Sequence, residues 1–211
     1  MDFDLKKSVK KVLVSEREIQ KLINQLGKKI SEDYKGKNLL LIAVLKGAVV
    51  TLTDLMRAIT IPCEIDFMVV SSYADATESS GRVRILKDLD VSIEGRDVLI
   101  VEDILDSGNT LSYLTKVLSH RNPASIKICT LLDKPARRQA DIKADYVGKA
   151  IADEFVIGYG LDFAGKFRNL PYVAIIKPEV PEQYFAEKEA AKAAQEEANA
   201  AQEEACGDSK E

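Results

Sequence analysis

Two short apolar runs set the fold of this chain. Leu39-Leu40-Leu41-Ile42-Ala43-Val44 and Val98-Leu99-Ile100-Val101 show no alternation, so each is predicted as a strand buried on both faces. Only a sheet covered by helices on both sides offers such positions. The segments around the runs supply the helices. Ser15-Glu16-Arg17-Glu18 reads as a capping box, the Ser15 hydroxyl accepting from the Glu18 N–H and the Glu18 carboxylate reaching back. Behind it, Ile19, Leu22, Ile23, Leu26 and Ile30 fall at helical spacing and predict an amphipathic helix of about four turns. A second helix is expected over Ala48 to Met56 and a third from Asn109 to His120. Further strands are expected over Cys63 to Val70, Ile126 to Leu132, Ala144 to Ile151, Phe155 to Gly158 and Tyr172 to Ile176, with a short one at Arg82 to Ile85. Strand and helix alternate through the first two-thirds. This predicts an α/β chain with a twisted, mainly parallel sheet flanked by helices and joined by right-handed crossovers.

Composition closes off several classes. With 211 residues, 46% hydrophobic and 30% charged, the chain buries a core without disulfide or metal staples. Its three cysteines, Cys63, Cys129 and Cys206, are an odd number without short spacing, against a disulfide framework or a cysteine-ligated zinc. The longest apolar run, Leu39 to Leu45, is far short of the roughly 20 residues a membrane helix needs. No apolar stretch follows the basic residues of MDFDLKKSVKK, so no secretory signal is expected and a cytoplasmic protein is. From Glu182 onward there are nine acidic residues and three lysines, so the net charge of −4 hides a mildly basic body. That body shows no marked basic patch, which argues against nucleic acid as a partner and allows an anionic small molecule. The division expected is a body over 1–181 and an Ala/Glu-rich tail over 182–211. In the tail AAQEEAN (193–199) recurs as AAQEEAC (200–206), predicting a solvated helix or a disordered segment, with an alanine-seamed coiled coil as the lesser alternative.

The segment richest in chemistry is Val98-Leu99-Ile100-Val101-Glu102-Asp103-Ile104-Leu105-Asp106-Ser107-Gly108-Asn109-Thr110-Leu111. A buried strand runs into two adjacent carboxylates, and a short polar turn then opens a helix. Ligands of open α/β sheets bind at the C-terminal strand ends. The start of the next helix offers free N–H groups and a positive dipole end, which suit a phosphate. Gly108 permits close backbone approach, and the Ser107 and Thr110 hydroxyls add donors. Glu102 and Asp103 suit hydroxyls or a hydrated cation. A phosphate on one side and a diol on the other describe a ribose 5-phosphate. The plain alternative is a generic strand end followed by a capped helix.

The run VLIVEDILDSGNTL resembles the phosphoribosyl-pyrophosphate (PRPP) motif of the type I phosphoribosyltransferases. Leu45-Lys46-Gly47 resembles that family's pyrophosphate loop, and Ser71-Ser72-Tyr73 before a polar stretch resembles its flexible lid. Lys134, then Glu154 to Asp162 (EFVIGYGLD), then Phe167-Arg168-Asn169-Leu170 resemble the purine-binding end of the hypoxanthine-guanine branch. These motifs stand in order between about residue 10 and residue 180. The resemblance implies a phosphoribosyltransferase fold with a small hood from the N- and C-terminal parts, a homodimer or homotetramer, and PRPP and a 6-oxopurine base as partners. It implies that Asp106 is the general base near purine N7. Glu102 and Asp103 would hold the ribose hydroxyls, while residues 106–110, including Asn109, cradle the 5′-phosphate. Lys46, Gly47 and Arg168 would contact pyrophosphate, with a non-proline cis peptide at this loop. Phe155 would stack on the base, Lys134 would bind its O6, and the Val156 backbone would read its edge. Asp162, with Glu102 and Asp103, would hold Mg²⁺, and Ser72 and Tyr73 would close over the site. The product would be IMP or GMP in purine salvage. Two alternatives stand beside this: a xanthine-preferring relative, and a PRPP-sensing nucleic-acid-binding regulator of the same fold.

Other features read more plainly. Gly160 to Phe167 (GLDFAGKF) spaces its glycines and lysine like a phosphate-binding P-loop, but Phe167 stands where a hydroxyl is needed. His120, the only histidine, is placed to cap a helix end. Arg137-Arg138 is expected as a solvated basic turn or a subunit contact. Taken alone, Phe155 reads as a core aromatic, and only the surrounding resemblance shifts it to base stacking.

Overall fold

The computed structural model describes residues 4, 5, 7–72 and 83–207. Its elements follow the order β1 (Val9–Val14), α1 (Glu16–Asp33), β2 (Leu39–Leu45), α2 (Val49–Ala58), β3 (Glu64–Ser72), β4 (Val83–Lys87), β5 (Asp97–Leu105), α3 (Asn109–Ser119) and β6 (Ser125–Asp133). After a single 3-10 turn (Pro135–Arg137) come β7 (Tyr146–Ala150), β8 (Val156–Ile157), β9 (Val173–Ile176) and α4 (Glu179–Gly207). The chain divides into a large unit, Val12–Ile175, and a small one made from the segments before Val12 and after Ile175.

The two apolar runs are adjacent central strands of the large unit. Its main sheet has the order β4-β3-β2-β5-β6-β7. Every neighbouring pair is parallel except β3 with β4. Alternation along each central strand sorts the core into two layers. Leu39, Leu41 and Ala43 of β2, with Leu99 and Val101 of β5, pack with Ile19, Ile23 and Leu26 of α1 and Leu52 and Leu55 of α2. Leu40, Ile42, Val44, Val98 and Ile100 pack on the other face with Leu111, Leu114 and Leu118 of α3. A fully buried leucine of this kind stabilises the fold by roughly 1.5–3 kcal/mol. Both faces of β2 and β5 are therefore covered, which is why neither strand shows a polar face in the sequence.

Local signals come out with informative differences. Ser15 caps α1, its hydroxyl accepting from Glu18 N at 3.3 Å. The other half of the capping box is absent, because the Glu18 carboxylate pairs with Lys149 Nζ at 2.5 Å instead. His120 is the C-cap of α3, its Nδ1 lying 2.6 Å from the Lys116 carbonyl. β1 is an edge strand of a small sheet ordered β1-β9-β8. Its lysines and exposed Val12 give no strand periodicity to read. In the small unit, Lys177 N donates to the Ser8 carbonyl at 3.0 Å and α4 begins two residues later. The tail is helical as far as Gly207, with the i,i+4 contacts Lys192–Glu196 (3.6 Å) and Gln195–Asn199 (3.0 Å) on its surface.

Candidate active site

Strands β2 and β5 end side by side, and the loops leaving them line a cleft of about 390 Å³. Lys46, Gly47, Glu102, Asp103, Asp106, Ser107, Gly108, Thr110, Asp162 and Arg168 all face it. Ten of the residues singled out from the sequence thus converge from three separate segments of the chain.

On the β2 side, the Leu45–Lys46 peptide is cis. Gly47 follows so close to β5 that a Cβ there would overlap the Asp103 carboxylate. Gly160 approaches from the third segment, and a Cβ on it would strike the Gly47 carbonyl. Its φ of +96° lies in the region that favours glycine, so both conformation and space demand this residue type. The turn around Gly160 is pinned to α2, because the Tyr159 hydroxyl donates to Asp54 Oδ2 at 2.6 Å. Arg168 closes the same turn: Nη1 donates to the Gly160 carbonyl at 2.6 Å, and Nη2 lies 2.6 Å from Asp162 Oδ1. Asp162 also accepts from Gly165 N at 2.8 Å. The P-loop-like segment is therefore a tight turn with a Phe163–Lys166 bridge and no following helix.

On the β5 side, Glu102 and Asp103 are buried. Burial, followed by the charge of Asp103, pushes the Glu102 carboxyl well above its usual range. Burial also raises Asp103 to about 6, opposed by the hydrogen bond from Ile104 N (2.8 Å) and the nearby charge of Arg168. Neither carboxylate has an ion-pair partner among the described residues. Beyond them, Asp106, Ser107 and Gly108 form the turn into α3, with Gly108 at φ +81°. Asp106 Oδ1 is buried without a hydrogen bond, and Arg137 Nε lies 3.6 Å from it and 3.7 Å from Asp153 Oδ1. Asn109 turns its side chain to Gln139 at 2.9 Å, leaving its backbone to the turn.

Five expected residues among those described, Ser72, Asn109, Lys134, Phe155 and Val156, lie outside the cleft lining. Lys134 is buried just after β6, Val156 is buried in β8, and Phe155 is 52% exposed with its ring edge-on to Phe163 at 5.9 Å. Ser72 is the last residue of β3, while Tyr73 lies outside the described residues, as does most of the expected lid. The sequence reading missed Gly160, Tyr159 and Arg138. Gly160 was within a quoted motif, and its spacing from Arg168 was the available signal. Arg138 was expected in solvent or at a subunit contact, but its guanidinium is largely buried against the β5 turn. Nothing local distinguishes it from its neighbour Arg137.

As chemistry, the cleft joins a turn rich in free N–H groups to two buried carboxylates and a lysine–glycine loop. It offers hydrogen-bond donors for an anion beside acceptors for hydroxyl groups or a hard cation. The carboxylate oxygens fit Mg²⁺, which takes one or two carboxylates together with waters and substrate phosphates. No group of three converging metal-ligating side chains occurs among the described residues, so the protein supplies part of such a shell.

Residues 11–164 match the family model described as "Phosphoribosyl transferase domain". A hypoxanthine-guanine phosphoribosyltransferase of Bacillus subtilis is 54% identical over 178 residues, covering 84% of this chain and 99% of that protein. A bifunctional protein TilS/HprT of Listeria monocytogenes is 54% identical over 172 residues, 82% of this chain, although the chain spans only 26% of that longer protein. A crystal structure of a hypoxanthine phosphoribosyltransferase from Staphylococcus aureus superposes with a TM-score of 0.82 at 50% identity, over 85% of this chain and 98% of the other. The strand order, the cleft at the strand ends and these matches have one reading: the chain belongs to the phosphoribosyltransferase domain family.

Proposed function

We propose that this chain transfers the 5-phosphoribosyl group of PRPP to hypoxanthine or guanine, giving IMP or GMP and pyrophosphate in purine salvage. The observation that carries the proposal is the cleft itself, where an open N–H turn, two buried carboxylates and the Lys46–Gly47 loop meet at adjacent strand ends. The 5′-phosphate sits at the turn of residues 106–110, where the N-terminus of α3 favours an anion. Glu102 and Asp103 accept hydrogen bonds from the ribose 2′- and 3′-hydroxyls. Lys46 and the Gly47 backbone receive the pyrophosphate, and Arg168 adds a cation beside it.

The C1′–oxygen bond breaks with its electron pair leaving on pyrophosphate, and C1′ becomes oxocarbenium-like. Purine N9 donates a pair to C1′, and Asp106 takes the proton that the base loses at N7. Holding the two reactants in line removes much of the entropic barrier. Phe155 covers one face of the base, the Lys134 ammonium donates to O6, and the Val156 backbone reads the ring edge. Asp162 and the Glu102–Asp103 pair are the carboxylates that would hold Mg²⁺, one or two at a time with waters and substrate phosphates completing the shell, and the ion would offset the charge on the departing pyrophosphate. Ser72 and Tyr73 belong to a lid that keeps water from the ribosyl centre. The assembly proposed is a homodimer or homotetramer in the cytoplasm. No described helix is long and apolar enough to cross a membrane.

The test is PRPP- and Mg²⁺-dependent conversion of hypoxanthine, guanine, xanthine and adenine, followed by absorbance. Turnover of hypoxanthine or guanine with adenine inert is expected. Binding of PRPP without turnover of any base overturns the proposal in favour of a PRPP-sensing regulator.

A further inference from the structure

We infer that Arg138 is the positioning residue of the phosphate turn: it holds the turn's carbonyls away from the cleft, so that the N–H groups of the same peptides face into it. Arg138 follows β6 and the 3-10 turn, and its side chain is about 16% exposed. Its Nε donates to the Asp106 carbonyl at 2.9 Å, and Nη2 donates to the Leu105 carbonyl at 3.3 Å. Nη2 also pairs with Asp133, and Nη1 donates to the Ile142 carbonyl at 2.8 Å. The backbone around Arg138 continues the pattern. Lys134 N donates to the Leu105 carbonyl at 3.0 Å, and the N–H groups of Gln139 and Ala140 donate to the Ser107 carbonyl at 2.9 and 3.1 Å.

Three consecutive carbonyls, at 105, 106 and 107, are therefore all held by the segment 134–140. A trans peptide is planar and points its N–H opposite to its C=O. The N–H groups of the same three peptides are those of Asp106, Ser107 and Gly108. None of the three has a protein acceptor among the described residues. All three residues line the cleft. Successive N–H groups facing one way make an anion-binding concavity, and here the concavity is set from behind. Gly108 is packed from the same side, because a Cβ on it would meet Ile142 Cγ2 and Arg138 Cδ. A lysine has no planar fork and cannot reach four acceptors at once.

The inference rests on the proposed function for the identity of the anion, so one measurement is independent of turnover. In ¹⁵N-labelled full-length protein, ribose 5-phosphate should shift the amides of Asp106, Ser107 and Gly108 in the wild type. In Arg138→Lys and Arg138→Met its affinity should fall roughly tenfold or more, the loss expected for hydrogen bonds to a charged group. In steady-state assays the KM for PRPP should rise in both variants by a similar factor, while the KM for hypoxanthine stays within about twofold. Arg138→Lys keeps the charge and is the variant to use if Arg138→Met does not fold. Wild-type amides that shift, with variants that bind equally well, overturn the role of Arg138. Equal rises in both KM values also overturn it, because general loosening of the fold does not select PRPP. Wild-type amides that do not respond to ribose 5-phosphate overturn the anion turn itself, and with it the reading of the site.

Discussion

At the entrance to β5, Arg96 is buried and donates through Nη1 and Nη2 to both oxygens of Glu64, at 3.1 and 2.8 Å. Beside it Asp97 accepts from the Ser125 hydroxyl at 2.6 Å. At the exit of the same strand Glu102 and Asp103 are equally buried, but neither forms an ion pair among the described residues, and burial pushes both carboxyls upward against only the nearby charge of Arg168 and the Ile104 N–H on Asp103. One strand thus carries buried charge at both ends, compensated at one and left open at the other. Compensated charge ties the start of β5 to β3, across the intervening β2, and to its neighbour β6. Uncompensated charge lowers the stability of the free protein and is repaid only by what enters the cleft. Perturbed carboxylates lining a cleft are the physical mark of a site that acts.

The sharpest way to break this comparison is at the exit. Asp106→Asn keeps shape and hydrogen-bonding capacity but cannot accept a proton. Turnover should fall by roughly 10²–10⁴, the usual contribution of a general base, while PRPP affinity measured by calorimetry changes little. A parallel loss of binding and turnover would show that Asp106 shapes the phosphate turn and does no proton transfer.

Asp103 tests the cost directly. Its carboxyl ionises near 6 in the folded protein against 3.8 unfolded. Between those values Asp103 binds more proton in the folded state, so without metal its contribution to the stability of the wild type should fall as pH rises from about 4 to about 6. Asp103→Asn removes the Asp103 share of this slope. Above pH 7 it should stabilise the free protein by about 1–3 kcal/mol, and it should lower activity. Its amide oxygen can still accept from Ile104 N, so the backbone keeps its anchor. Melting curves in EDTA at pH 4, 6 and 8 read both effects. A variant less stable than wild type at pH 8 would mean that the carboxylate is compensated after all.

The central sheet was legible because burial on both faces leaves no polar residue in Leu39–Val44 or Val98–Val101, and few other structures produce that pattern. The exit of β5 was legible because strand, carboxylates, glycine and hydroxyls are contiguous. What stayed hidden is contributed across long separations. Arg138 lies 32 residues from Asp106. Gly160 meets Gly47 only after the sheet has formed. Nothing beside Glu18 announces Lys149, the partner that takes its carboxylate from the capping box. The purine end carries a contiguous motif, but the relation of Phe155, Val156 and Lys134 to the cleft depends on the paths of two loops, which periodicity does not encode.

The smallest effect is expected at the compensated end. Arg96→Met removes the two hydrogen bonds to Glu64 and keeps most of the aliphatic packing. The Glu64 side chain is 62% exposed, so once released it returns to water and leaves no stranded buried charge. Arg96 Nε is itself buried without a partner, and the substitution relieves that cost. The net loss should be about 1–2 kcal/mol, below the 3–5 kcal/mol seen when a fully buried pair is broken. For a chain of this size that lowers the melting temperature by roughly 2–8 °C. The kcat/KM for PRPP and for hypoxanthine should stay at the wild-type value, because five strand residues, packed on both faces by the core, separate Arg96 from Glu102. A fall in kcat/KM without a fall in melting temperature would mean that β5 transmits strain from one end to the other. The two ends would then be one device, and the stability of the entrance would be part of the chemistry at the exit.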